Sequence, residues 1–342
     1  MIEQQGAPLI AIADNHILVL EEHERVFIRN LVHEIPPRAI SDMNDDVFLS
    51  ALALKSRQMP LRLAENLINF RKRSNMHGAL LLRNFLLDDT LPPSPSDGKS
   101  SLQKLTNTSE YTLLAMMLWL GEPIAYADEK EGMLIQNICP VQGQENQQEN
   151  TGSVYLEFHT EDGFHPFKPD FVGLLCLRAD HEKRAKIATA SIRHALAKLD
   201  ATVMARLREP LYRIQVSTSF LKNSSEARYS HSMPIISGDD AEPEMCVDFH
   251  AMRALNTEAQ QAMNALKHAL ISVLVEVALV PGDLIIVDNR VAAHARTAFQ
   301  PVYDGYDRWL QRLFVVQDYR RSRELRMHGG HICAPIMTGE AE

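Results

Sequence analysis

The sequence predicts a mainly β core, a sandwich or barrel, with helices packed around it. Three observations carry this reading. From residue 154 onward the chain breaks into short apolar runs separated by turn residues: VYLEFH, DFVGLLCL, KIATASI, YRIQVS, MCVDF, DLIIVD and RWLQRLFVV. Apolar residues at helical spacing gather mostly at the N-terminal end. Regular strand–helix alternation is absent, as are GxGxxG and GxxxxGK sequences, which disfavours a doubly wound parallel sheet.

Taken in order, residues 18–34 and 60–75 carry the helical spacing, with charges between the apolar positions. The segment 89–101, DTLPPSPSDGKSS, reads as a surface loop within one domain. Its neighbours, LLLRNFLL and SEYTLLAMMLWL, both look like core, so residues 1–342 are expected to form one domain. A strand-like run at 133–138 precedes a polar loop rich in Gln and Asn. Residues 142–151 of that loop cannot bury anything by themselves and are expected to act as a lid over a site. Thr257-Glu258-Ala259-Gln260 has capping-box spacing and opens a long amphipathic helix expected to reach about Val277.

Charge and composition narrow the function. The chain has 35 basic and 44 acidic residues, a net charge of −9. The basic clusters Arg71-Lys72-Arg73 and Arg320-Arg321 are short, so no nucleic-acid or anionic-membrane partner is expected. Cys139, Cys176, Cys246 and Cys333 form no CxxC pair and no disulfide framework. The start Met1-Ile2-Glu3-Gln4-Gln5 lacks a signal-peptide pattern. The longest apolar candidate, 269–280, is too short to span a bilayer and contains Glu276. A reduced, cytoplasmic protein acting on a small molecule is expected; its oligomeric state is not legible.

His159-Thr160-Glu161 ends the run VYLEFH. On an extended chain a His and a carboxylate two apart point to the same side and can share one metal. With 14 histidines and many acids such a pair arises by chance, so it needs a third ligand. His294 follows the turn–strand–turn sequence PGDLIIVDN and supplies one. Two histidines and a carboxylate leave open positions, as in non-haem iron oxygenases. Zinc hydrolases use the same donor types, although the HExxH signature is absent. Further on, Arg308, Leu310 and Arg312 share one face of the run RWLQRLFVV. Arginines on the inner face of an apolar strand are costly to bury unless each meets an anion, either a structural acid or a bound carboxylate.

LEFHTE, HPFKPDFVGLLCLR, PGDLIIVDNRVAAHARTAF and DGYDRWLQR together resemble the clavaminate synthase-like iron(II)/2-oxoglutarate oxygenases, most nearly the bacterial hydroxylases of free arginine and lysine. The resemblance covers roughly residues 78–325 and leaves 1–77 as a helical N-terminal part. It implies a double-stranded β-helix (jelly roll) with surrounding helices, and iron(II), 2-oxoglutarate and dioxygen as reactants. It implies His159, Glu161 and His294 as the iron ligands. Arg308 matches the arginine for the far carboxylate of 2-oxoglutarate, and Thr189 a residue that assists it. Arg312 matches the arginine for the substrate's α-carboxylate, Gln136 a glutamine near its α-amino end, and Asp248 an acid facing a cationic side chain. Arginine hydroxylases carry Asp-x-Asp there, whereas Cys246-Val247-Asp248 keeps one acid; the expected substrate is therefore an amine, L-lysine, ahead of arginine, ornithine or citrulline. A carboxylate at 161 leaves no room for chloride, so the resemblance implies hydroxylation. A zinc hydrolase using the same three ligands and a metal-free jelly-roll binding protein are the rival readings.

Overall fold

The computed structural model describes residues 16–99, 104–221, 227–336 and 340–341. Two sheets face each other. The larger runs, in spatial order, β1 (Ile17–Val19), β2 (Ala79–Arg83), β14 (Leu284–Asp288), β6 (Phe171–Arg178), β16 (Trp309–Val316), β3 (Glu122–Tyr126) and β17 (Ile332–Cys333). β4 (Gln136–Ile138) also pairs with β16. The smaller runs β13 (Val275–Ala278), β7 (Lys186–Ser191), β15 (Ala292–Arg296), β5 (Leu156–His159). Short ribbons join β8 (Tyr212–Ile214) to β12 (Met252–Ala254), and β10 (Ile236–Gly238) to β11 (Pro243–Met245). β9 (Arg228–Tyr229) pairs with residues 340–341.

The chain passes from one sheet to the other at each step through β5, β6 and β7 and again through β13, β14, β15 and β16. That alternation closes a jelly roll. Its interior is the layer between the sheets, with Val172, Leu174, Ile187, Ile285, Leu310 and Phe314 buried together. Helices cover both outer faces. α1 (Glu22–His33), α2 (Asp46–Ser56), α3 (Leu61–Arg73) and α4 (Thr108–Met117) pack on the larger sheet through Leu63, Leu113 and Leu313. α5 (Ile192–Ala195), α6 (Ala201–Leu207) and α7 (Thr257–Ile271) cover the smaller through Ile192, Leu266 and Ala293.

Several boundaries differ from the sequence reading. The 18–34 helix begins only at Glu22, because Ile17 and Val19 flank a strand that pairs parallel with β2. The nominally helical N-terminal part thus contributes to the main sheet. The helix from 257 stops at Ile271; β-branched Val275 and Val277 instead supply edge strand β13. Its N-cap is Asn256, whose side chain accepts from the Ala259 N–H at 2.8 Å. Of MCVDF only Met245 is strand, and Asp248 turns the chain. The 89–101 segment, described as far as 99, is more than a surface loop. Ser94 is buried and its hydroxyl donates to the Asp307 carbonyl at 2.6 Å. No helix of the described residues is long and apolar enough to cross a membrane, and all four cysteines are buried and unpaired.

A buried ion cluster ties α4 to β16. Lys104 Nζ lies 2.7 Å from both Asp88 and Glu110, with all three side chains at most 2% exposed. Glu110 in turn accepts from Gln311 Nε2 at 2.7 Å. Burial pushes the Asp88 carboxyl up, but Lys104 and the hydrogen bonds from Lys104, Thr106 and Ser109 outweigh it, so the net is a lowered pKa. A lowered carboxylate stabilises the fold above its unfolded value, about 4, and that contribution disappears as pH falls through the folded value. Lys104→Met should therefore lower the unfolding free energy by about 3–5 kcal/mol in a urea titration at neutral pH. The difference from wild type should shrink in acid.

Candidate active site

The antiparallel register of the smaller sheet lines up the site. Thr189 of β7 stands opposite His294 of β15, His294 opposite His159 of β5, and His159 opposite Asp248 through an isolated bridge. On the facing sheet Gln136 of β4 stands opposite Arg312 of β16. Glu161 follows β5 by two residues and is fixed through its backbone. Its N–H donates to Asn289 Oδ1 at 2.8 Å, and its carbonyl accepts from Asn289 Nδ2 at 3.0 Å. Asn289 is wholly buried in the turn between β14 and β15, so the segments that carry the candidate ligands Glu161 and His294 are pinned to each other.

The side chains of His159, Glu161 and His294 converge. One ligand atom from each lies within 4.8 Å of the others. The imidazole rings are 4.3 Å apart, and His294 Nε2 is 3.4 Å from Glu161 Oε2. His159 Nδ1–H donates to the Glu157 carbonyl at 2.8 Å, which leaves Nε2 bare for a metal. His294 Nδ1 is buried without a partner. Burial, then His159, lowers the His294 pKa. Burial alone would raise Glu161, but Arg312 and the two histidines hold its carboxyl far below the usual range. Neutral imidazoles beside an ionised carboxylate are the forms that ligate a divalent ion. Two nitrogens and one oxygen fit iron(II) and leave positions for other ligands.

Arg312 is the most elaborately held cation. Its guanidinium donates to Glu161 Oε1 at 2.9 Å, to Gln136 Oε1 at 3.0 Å through Nε, and to Glu129. Burial opposes its charge, yet Glu129, Glu161 and Asp162 raise its pKa above the ordinary value. Gln136 Nε2 and Glu129 Oε2 are buried and unpartnered, one donor and one acceptor beside the same guanidinium. Arg308 contrasts with it. It is 5% exposed, precedes β16, and meets no acid within ion-pair distance among the described residues; its charge lies 5.8 Å from the Phe299 ring. Burial lowers its pKa. An unpaired buried guanidinium asks for an anion.

A cleft of about 430 Å³ opens onto His159 and Glu161. Asp248 lines it too, with Oδ1 already accepting from the His250 and Ala251 N–H groups at 2.9 and 2.8 Å. Gln144, Gln148 and Glu149 of the polar loop form another wall. That loop is hydrogen-bonded rather than bare. Gln148 Nε2 donates to the Tyr155 carbonyl at 2.7 Å, and Thr218 Oγ1 donates to Glu149 at 2.6 Å. Thus His159, Glu161, His294, Arg312 and Gln136 are in contact or one hydrogen bond apart, and Asp248 lines the cleft that opens onto His159 and Glu161. Thr189 lies one strand over, and Arg308 lies outside the cleft wall. Sequence reasoning missed Glu129, Asp162 and Asn289. Glu129 sits in the charged run DEKEG, which reads as a solvated turn.

The Taurine catabolism dioxygenase TauD, TfdA family matches residues 70–314. The chain is 36% identical over 321 residues to the L-asparagine oxygenase of Streptomyces coelicolor, covering 94% of this chain and 95% of that protein. It is 33% identical over 320 residues to the L-lysine 3-hydroxylase of Catenulispora acidiphila, covering 92% and 88%. A solved structure of asparagine oxygenase in complex with Fe(II), 2S,3S-3-hydroxyasparagine and succinate matches with a TM-score of 0.88 at 35% identity, covering 94% of this chain and 100% of that one. These matches remove the zinc-hydrolase and metal-free readings. The chain belongs to the TauD/TfdA family of iron(II)- and 2-oxoglutarate-dependent dioxygenases.

Proposed function

We propose that the protein hydroxylates a free basic L-amino acid, L-lysine, yielding the hydroxylated amino acid, succinate and carbon dioxide. The observation that carries this is the polarity of the cleft. It is lined by Asp97, Asp128, Glu131, Glu149, Glu157 and Asp248, with Lys99 and Lys130 as its basic residues. Such a wall concentrates a cation. The reduced state of all four cysteines suits the cytoplasm as its location.

Bound at His159, Glu161 and His294, iron with 2-oxoglutarate supplies the dioxygen-derived oxidant. The chain's own residues do the positioning. Arg308 pairs the distal carboxylate of 2-oxoglutarate, and Thr189 lines the approach to it. Arg312 takes the substrate's α-carboxylate, helped by the unpartnered Gln136 Nε2–H donor, while Gln136 lies near the α-amino end and Glu129 accepts from that end through its unpartnered Oε2. Asp248 receives the side-chain ammonium through the oxygen its own turn leaves over. Holding an extended amino acid at both ends selects one methylene for reaction.

A second reading has its own support. A single carboxylate at 248 also accepts from a carboxamide, and one similar protein is an asparagine oxygenase. Mass spectrometry for a gain of one oxygen across lysine, ornithine, arginine, citrulline and asparagine separates the two. Lysine should be the best substrate; asparagine as the best would replace it and leave the chemistry standing. Asp248→Ala should cut lysine turnover about tenfold or more while leaving metal binding unchanged.

Arg308→Ala should raise the 2-oxoglutarate requirement about tenfold or more with little change for the amino acid, and Arg312→Ala should do the reverse. The same defect in both variants would refute the division of labour. We also propose that residues 142–151 close over bound substrate. Hydrogen exchange across them should slow when iron, 2-oxoglutarate and lysine are added, and equal exchange would contradict closure.

A further inference from the structure

We propose that Arg296 is a second anchor for the distal carboxylate of 2-oxoglutarate, opposite Arg308 across the gap between the sheets. The inference rests on the co-substrate reading above and adds a residue to it. Arg296 ends β15, two residues beyond His294, and is 3% exposed. Strand alternation turns it inward with Ala292 and His294, and its register partner Ile187 belongs to the inter-sheet core. Arg308 enters the same space from the start of β16. Both guanidiniums lie near one ring, 5.3 and 5.8 Å from the centre of Phe299.

Two buried like charges that share one aromatic neighbour repel unless an anion offsets them. Arg308 is near enough for its charge to oppose that of Arg296. Neither arginine has a carboxylate within ion-pair distance among the described residues. The acids nearby are committed elsewhere. Asp180 accepts from the Arg184 and Ala185 N–H groups, and Asp307 from those of Val302 and Tyr303. Arg296 makes one hydrogen bond, Nη2 to the Val154 carbonyl at 2.9 Å, and its Nε is buried without a partner.

Arg178 shows how a purely structural arginine in this region is satisfied. It also lacks a carboxylate, but its two terminal nitrogens donate to Ser94 Oγ, the Gly305 carbonyl and the Pro92 carbonyl. Arg296 and Arg308 are left short of acceptors by comparison. One carboxylate between their planar forks would accept from both and neutralise the repulsion. A keto acid without that carboxylate would leave both charges unpaired, so the pair would also select the co-substrate.

The test is anaerobic calorimetry on the full chain loaded with Mn(II), using 2-oxoglutarate and 2-oxopentanoate, which lacks the distal carboxylate. Arg296→Gln is expected to raise the Kd for 2-oxoglutarate about tenfold or more and to leave that for 2-oxopentanoate within about twofold. An unchanged Kd for 2-oxoglutarate overturns the inference. So does an equal loss for both keto acids, which is what a role confined to holding Val154 gives. Should Arg296→Gln not fold, Arg296→Lys, which keeps the charge without the fork, carries the same comparison with a smaller expected shift. Wild-type protein that binds no 2-oxoglutarate overturns the co-substrate reading and this inference together. Binding that depends on Arg308 but not on Arg296 overturns this inference alone.

Discussion

Between its two sheets the protein buries Arg296, Arg308 and Arg312, none more than 5% exposed. Guanidinium charge in an apolar layer is tolerated only where oxygen acceptors surround it. Arg312 has them from the chain itself, in Glu129, Glu161 and Gln136. Arg308 has none, and Arg296 has one carbonyl. The fold therefore holds buried positive charge short of acceptors at Arg296 and Arg308, and an acid-lined cleft that opens onto His159 and Glu161. An anionic co-substrate and a zwitterionic or cationic substrate are the two species that complement those two features.

The metal set depends on the same construction. His294 and His159 are register partners in adjacent antiparallel strands, so their rings approach because the backbone ladder places them there. Glu161 lies past the strand end, where no ladder fixes it, and Asn289 substitutes for the missing neighbour by hydrogen bonding both sides of its peptide unit. Arg312 then keeps its carboxylate ionised against the pull of burial. A slip of one residue in β15 would turn His294 into the helix-covered face and separate the ligands.

What was legible in the sequence follows from the range of the signal. His159 with Glu161, and Arg308 with Arg312, are separated by even numbers of residues in strand-like runs, so a shared face could be read directly. The turn–strand–turn run PGDLIIVDN pointed to His294 near a strand end, and the resemblance supplied Gln136, Asp248 and Thr189, which no local spacing connects. Glu129 and Asn289 reach the site through turns whose side chains carry no periodic signal. Arg296 stands two residues from His294 in HARTAF, yet nothing local shows that its acceptors are missing. The helical period failed where both faces of an element are buried. All ten residues of α4 are buried, so its polar face does not exist to be seen. β16 is also covered on both faces, with Leu313 under helices and Leu310 between the sheets, yet its run RWLQRLFVV reads correctly as a strand. The last stretch of the expected long helix was lost to β13, whose β-branched residues complete the edge of the smaller sheet.

One buried site is expected to couple breakdown of 2-oxoglutarate to oxidation of an amino acid. Turnover under ¹⁸O₂, with iron(II), 2-oxoglutarate and lysine, tests it most directly. Mass spectrometry should find one labelled oxygen in succinate and one in the hydroxylated amino acid, with the two products formed in equal amounts. Succinate without a hydroxylated product from any amino acid, or a product whose new oxygen comes only from water, would contradict it.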